Sequence, residues 1–308
     1  MLNHGDRTMA INLKTFAKDL NYQADTSVSQ IFKDFKELAE IKQLAEQKVA
    51  YFKNLAIWSW LGIVLIIIGW FFALFNFLTD WMSFGFFLFV ILIIPAIFCS
   101  VKWNYYHKLR LRDERCELPK KIVSMVNRDR TPNSNVKILV HFTPAGGKGK
   151  KIKTLPHPSK RGWKLDIFED QWLTLEGKFL DRTNFFLTVT ELNRRAYGWN
   201  TVNNKSKWKI KDKYKGTEIN LRLTFPSKKY GATNFLQQAT QSAVKLPAGI
   251  GVQLKQIKVA GKAIDLTVNT PHFFKQEEMY QTITMMFLSL YHVLNFAKML
   301  SRKRQKLS

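Results

Sequence analysis

LAIWSWLGIVLIIIGWFFALFNFLT, Leu55–Thr79, carries no charged residue over 25 positions, and beyond Asp80 the stretch WMSFGFFLFVILIIPAIFCSV, Trp81–Val101, carries none over 21. As helices these runs reach about 37 and 31 Å, against a hydrocarbon core of about 30 Å. Only Asp80 separates them. The sequence therefore reads as a transmembrane hairpin with spans at 55–79 and 81–101, joined by a tight external turn.

The flanks set an orientation. Lys48 and Lys53 precede the first span, Lys102, Lys108, Arg110, Arg112 and Arg115 follow the second, and no basic residue lies between the spans. Positive residues stay on the cytoplasmic side, so both ends of the chain are expected there. Trp58 and Trp60 at one end of the first span, with Trp103, Tyr105 and Tyr106 after the second, form the expected aromatic belt; with Lys108, Arg110 and Arg112 they are the candidate lipid-interface residues. Trp81 marks the far side. Residues 1–30 hold no apolar run of signal-peptide type, so the first span serves as its own targeting signal. Neither span holds Asp, Glu, Lys, Arg or His, the side chains of proton relays and ion pathways. Gly62, Gly69 and Ala73, with Asn76 beyond, share a face suited to close helix approach.

The net charge is +25 over 308 residues, and it lies after the spans: nine basic against four acidic residues in 102–134, and 31 against 11 in 135–308. A charge of that size attracts polyanions, whether lipid head groups, nucleic acid or acidic protein. Two cysteines, Cys99 and Cys116, give no disulfide framework.

Before the spans, residues 1–54 form an N-terminal segment with an amphipathic helix at about 26–53. Its stripe is Val28, Ile31, Phe35, Leu38, Ala45, Val49 and Phe52, with Lys42 at one seam position. Such a stripe either docks on the protein's own cytoplasmic domain or pairs with a second copy. Residues 102–134 read as a basic juxtamembrane linker.

From 135 to 308 the pattern changes to short period-two runs: 136–142, 163–168, 171–180, 184–192, 207–214, 217–225, 251–259 and 263–269, with Gly, Pro, Asn and Asp between them. A helix is predicted near NFLQQATQSAVK, and the closing segment QEEMYQTITMMFLSLYHVLNFAKML has helical period and should pack on the sheet. The fold class is α+β: a two-helix hairpin with a β-rich cytoplasmic domain closed by a C-terminal helix.

Within that domain KSKWKIKDKYKG places lysines at 205, 207, 209, 211, 213 and 215. On a strand these share one face about 6.7 Å apart. Trp208, Ile210 and Tyr214 are then expected to face the core, and Lys215-Gly216-Thr217 to turn into the next strand. Lys205, Lys207, Lys209, Lys211, Lys213 and Lys215, with Arg194, Arg195 and Arg222, are the anion-binding candidates. The bland alternative is that the lysines keep an exposed strand soluble and block strand addition.

No catalytic or metal motif is found. TPAGGKGKK, Thr143–Lys151, has Pro144 where a phosphate loop needs its first glycine and Lys151 where it needs Ser or Thr. The six histidines show no ligand spacing. Asp166, Glu169, Asp170, Glu176 and Asp181 read as salt-bridge partners of nearby Lys and Arg. No cofactor, no metal and no enzymatic activity are expected.

The sequence thus predicts a membrane-anchored binding or assembly module of a bacterial cytoplasmic (inner) membrane, its basic domain recognising anionic lipid, nucleic acid or acidic protein, as a homo-oligomer or part of a membrane complex. The alternative is a ligand-gated two-helix effector with a nucleotide-sensing β-rich domain.

Overall fold

The computed structural model describes residues 13–75, 79–131, 134–147, 149–202, 205–230, 244–247, 251–270 and 275–305. The chain is α+β, with two long apolar helices, an antiparallel sheet and a C-terminal helix. Its contacts divide it into two units, Met1–Ala17 with Asp34–Arg112, and Lys18–Lys33 with Asp113–Ser308.

The first unit is built on α2 (Val28–Phe75) from Asp34 onward and on α3 (Thr79–Lys108), with most of the short α1 (Leu13–Asp19); the first six residues of α2 belong to the second unit. The amphipathic segment and the first apolar run are one 48-residue helix. No proline or glycine falls between Val28 and Leu61 to break it. At its start, Ser27 accepts Ile31 N–H on its carbonyl at 3.1 Å and Gln30 N–H on its hydroxyl at 3.4 Å, a serine cap. α2 ends at Phe75 and α3 begins at Thr79, so Asp80 lies in the first turn of α3 rather than between the helices.

The two helices run antiparallel in contact. Phe52 stacks on Tyr106 at 5.7 Å, Trp60 Nε1–H donates to Ser100 Oγ at 3.3 Å, and Trp70 meets Phe89 at 5.7 Å. A Cβ on Gly62 would sit 3.1 Å from Leu92 Cδ1, so Gly62 serves close approach, while Gly69 faces open space. The Ala73 and Asn76 side chains lie outside the described residues. Buried Ala56, Ser59, Ala96 and Cys99 are small, as a tight helix seam requires. Around that seam Leu65, Phe71, Phe72, Ile94 and Phe98 are exposed, and only 11% of the most apolar window of each helix is buried. Both helices are long and apolar enough to cross a membrane. Upstream, Ile31, Phe35, Leu38, Ile41 and Ala45 of α2 are buried within the single chain, Ile41 taking the place the heptad gave to Lys42.

The second unit begins with β1 (Asn21–Thr26), which joins β2 (Val136–His141), β3 (Lys151–Pro156), β4 (Lys164–Lys178), β5 (Asn184–Val202), β6 (Lys205–Thr224), β7 (Gln253–Ala260) and β8 (Ala263–Thr270). All pairings are antiparallel, in the order β1-β2-β4-β5-β6-β8-β7, with β3 on the outer half of β4. Residues 113–127, expected as linker, form α4 (Asp113–Asn127), whose Leu118, Ile122 and Val123 are buried. The short α5 (Ser227–Tyr230) and the closing α6 (Gln276–Gln305) complete the unit. As its period predicts, α6 buries one stripe, Met279, Ile283, Met286, Leu290 and Leu294, and it packs on β6 and β8, whose Ile219, Leu221, Leu223, Ile264 and Leu266 are buried. Each such side chain contributes about 1.5–3 kcal/mol when fully buried. The helix predicted near NFLQQATQSAVK falls largely outside the described residues.

Two expected turns are absent because a partner strand runs past them. The predicted strands 163–168 and 171–180 are both part of β4, joined through a bulge between Gln171 and Leu173. The runs 207–214 and 217–225 are both part of β6, and Lys215-Gly216 is a bulge within it: Leu192 pairs with Gly216 and Asn193 with Tyr214, leaving Lys215 extra. Gly216 has φ +132°, and a Cβ there would lie 2.0 Å from Thr270 O. No L side chain fits that backbone without strain. Gly216→Ala is therefore expected to cost at least about 2 kcal/mol and to lower the melting midpoint of the chain by several degrees. An unchanged midpoint by circular dichroism would contradict this geometry.

Candidate functional site

β4, β5 and β6 are long enough to outrun the rest of the sheet. β8 leaves β6 at Thr217, and β2 leaves β4 near Leu173, so beyond those points β3, β4, β5 and β6 continue as an arm. Residues 193–213 of this arm hold seven cations, Arg194, Arg195 and the lysines at 205, 207, 209, 211 and 213, against one carboxylate, Asp212.

The register sorts these residues onto two faces. Lys207, Lys209, Lys211 and Lys213 lie opposite Asn200, Gly198, Ala196 and Arg194, and all four lysines and Arg194 are exposed on one side. Lys215 sits at the bulge, half-buried, where burial and then the charges of Arg194 and Lys213 hold its pKa below the usual lysine value. The Lys205 side chain lies outside the described residues. Arg222 follows further along β6, ion-paired to Asp265 at 3.6 Å.

Arg195 does not join the row. It faces the other side, with Nε donating to Asp212 Oδ1 at 2.6 Å and the guanidinium 5.3 Å from the Phe168 ring, and Asp212 raises its pKa. Trp208 and Ile210 also overturn expectation. They are 45% and 59% exposed rather than core residues, because the arm has left the part of the sheet that α6 covers. Trp199 is 61% exposed and meets Trp208 edge-on at 5.4 Å, with Tyr197 tilted against Trp208 at 5.8 Å. The arm is an amphipathic ribbon, one face aromatic and one face lysine. What anchors it is Trp163, buried and donating Nε1–H to Trp199 O at 2.9 Å; a Cβ on Gly198 would strike that ring at 2.7 Å.

At the root of the arm lies a buried charge cluster that no sequence spacing discloses. Arg115 of α4 is fully buried; Nη1 donates to His141 O at 2.7 Å and Thr143 O at 2.9 Å, and Nη2 donates to Asp170 at 2.7 Å and Glu191 at 3.0 Å. Lys150 Nζ is 2.7 Å from the other Asp170 oxygen and donates to Thr143 O at 2.8 Å. Two cations thus face two carboxylates, a balanced set that pins α4, β4 and β5 together. Burial, then the Lys150 charge, draws the His141 pKa below its usual value, with Asp170 opposing. Asp166 likewise pairs with Lys151 at 3.1 Å and accepts from Thr154 at 2.6 Å; burial opposes its ionisation, but these partners outweigh it and lower its pKa. Glu176 lies 3.9 Å from Lys137. Asp181 accepts from Tyr230 and from Thr183 N–H at 2.9 Å, which again outweigh burial and lower its pKa. Among the described residues no group of three His, Cys, Asp or Glu is placed to hold a metal.

The interface candidates of the apolar helices lie at one end of the hairpin, as the Trp60–Ser100 and Phe52–Tyr106 contacts require. Trp58, Trp60, Tyr105, Lys108 and Arg110 are exposed; Trp103, Tyr106 and Arg112 are half-buried. No protein-family model, curated protein or solved structure matches the chain.

Removing Arg115 leaves Asp170 and Glu191 buried without their arginine, so Arg115→Met should lower unfolding free energy by about 3–5 kcal/mol in denaturant titrations. His141 carries a pH signature. Its folded pKa lies below the unfolded value near 6.5, so the unfolded chain binds the proton first and stability is lost as pH falls below that value. The melting midpoint should drop between about pH 7 and 5, and His141→Gln should flatten that drop.

Proposed function

We propose that this protein is an integral membrane protein whose β-rich unit uses its arm to dock on anionic lipid surfaces, as a binding or assembly module rather than an enzyme. The two apolar helices form the anchor, and the basic flanks favour both termini in the cytoplasm of a bacterial cell. The observation that carries the reading is the amphipathic arm: Trp199, Trp208 and Ile210 exposed on one face, Lys207, Lys209, Lys211 and Lys213 exposed on the other.

Such a ribbon suits a bilayer interface. Tryptophan and tyrosine prefer the head-group level, and an element with one apolar face lies in the interface plane with that face inward. Each lysine near an anionic surface contributes about 1 kcal/mol, acting across a Debye length of about 8–10 Å. A single-stranded nucleic acid fits the arm less well. Its bases stack on aromatic faces while its phosphates meet cations beside them, whereas here the lysine row 207–213 lies on the face opposite Trp199 and Trp208 and the two indoles cross at 74°.

The chain in zwitterionic nanodiscs should co-float with separate anionic vesicles at low salt and release them as salt rises. Lys207→Glu, Lys209→Glu and Lys211→Glu together should abolish co-flotation; Trp199→Ala with Trp208→Ala should weaken it at every salt concentration. Binding that ignores both salt and the triple reversal would refute the reading.

A further inference from the structure

Where α4 ends and α2 begins, the β-rich unit holds a polar cavity of about 450 Å³, lined by Ser27, Ser29, Asn127, Arg130, Thr131 and Ser134, with Phe32 on one wall. Arg130 is only 5% exposed. Its Nη2 donates to Ser134 O at 2.5 Å, Ser134 Oγ at 2.7 Å and Asn135 O at 2.7 Å, all neutral acceptors on one nitrogen. Its Nε is buried without a partner, and among the described residues no carboxylate pairs with it. Asp129, next in sequence, lines a different cavity.

Arg115, at the other end of the same helix, shows what a satisfied buried arginine requires: two carboxylates. A buried cation without such compensation is costly, and burial alone draws the Arg130 pKa down, with no charge opposing it. The cavity also receives the N-terminus of α2, a 48-residue helix. Gln30 N–H is taken by Ser27 Oγ and Ile31 N–H by Ser27 O, while the Val28 and Ser29 amides belong to the turn that has no intrahelical acceptors. That terminus carries about half a positive charge.

We propose that this cavity binds the phosphate group of a small anionic ligand. Arg130 supplies the charge, the first-turn amides of α2 and the hydroxyls of Ser29 and Thr131 supply directed donors, and Phe32 covers an organic body attached to the phosphate. A guanidinium beside a helix N-terminus and hydroxyls matches a tetrahedral oxyanion with several acceptors. The volume exceeds what one phosphate fills, hence the attached body. This site shares no residue with the arm. The site lies at the N-terminus of the same helix that carries the first apolar run.

The test uses the full chain in zwitterionic nanodiscs, followed by melting midpoint and titration calorimetry. Inorganic phosphate and adenosine monophosphate probe a soluble ligand; nanodiscs containing phosphatidic acid probe a lipid head group as the source of the same phosphate. At least one probe should bind and raise the midpoint, and Arg130→Gln should weaken it at least about tenfold. Arg130 also holds the 130–135 segment, so a second variant is needed. Ser29→Asp puts a carboxylate at the cavity in a helix position where acidic residues are favourable, and should abolish binding without lowering the ligand-free midpoint. Lys207→Glu, Lys209→Glu and Lys211→Glu should leave the phosphate effect unchanged, separating this site from the arm. No response to any probe at about 10 mM, or binding that survives Ser29→Asp, would overturn the proposal.

Discussion

One extra residue in β6 decides which way the molecule faces. Side chains alternate along a strand, so in an unbroken register Trp208 and Ile210 would lie on the side opposite Ile219, Leu221 and Leu223. The bulge at Lys215-Gly216 cancels one step, and the Tyr214 hydroxyl meets the Thr217 hydroxyl at 2.5 Å across it. The apolar side of the sheet therefore continues without interruption from the helix-covered core onto the uncovered arm. Everything distinctive about the arm follows from that continuity, because the same side is buried at one end and open at the other.

Much of this was legible in the sequence. Charge-free runs of 25 and 21 residues give the two apolar helices, period-two runs place six of the eight strands, and the closing helix follows from its stripe. Strand length was not legible. Asp170 and Gly216 are breakers by composition, yet β5 runs past both and keeps β4 and β6 continuous through their bulges. β3 escapes because all six of its residues are exposed and show no alternation of burial. The inward placement of Trp208 failed for a related reason: alternation shows which residues share a face, while burial depends on whether another layer covers it. Arg115, Asp170 and Glu191 meet across separations of 55 and 76 residues, which no local pattern encodes.

α4 carries an instructive pair. Arg115 and Arg130, at its start and just past its end, are both removed from water, and both would be costly if left as isolated charges. The first is neutralised by carboxylates from two strands and cross-links the sheet. The second is offered only carbonyls and a hydroxyl. The two arginines are alike in burial and differ in the charge balance around them.

The uneven cover of the sheet also grades its stability. The core strands are clamped between partners on both sides and capped by α6, whereas among the described residues no strand pairs with the outer edge of β6 before Thr217. Amides on that edge of β6 have one neighbouring strand only, so this edge is expected to open at lower free energy than the core behind it. Trp163, wedged over Gly198, is the arm's main latch. A contact made along that edge would therefore order the outermost strand of the arm first, while β4 and β5 behind it are already held by partners on both sides.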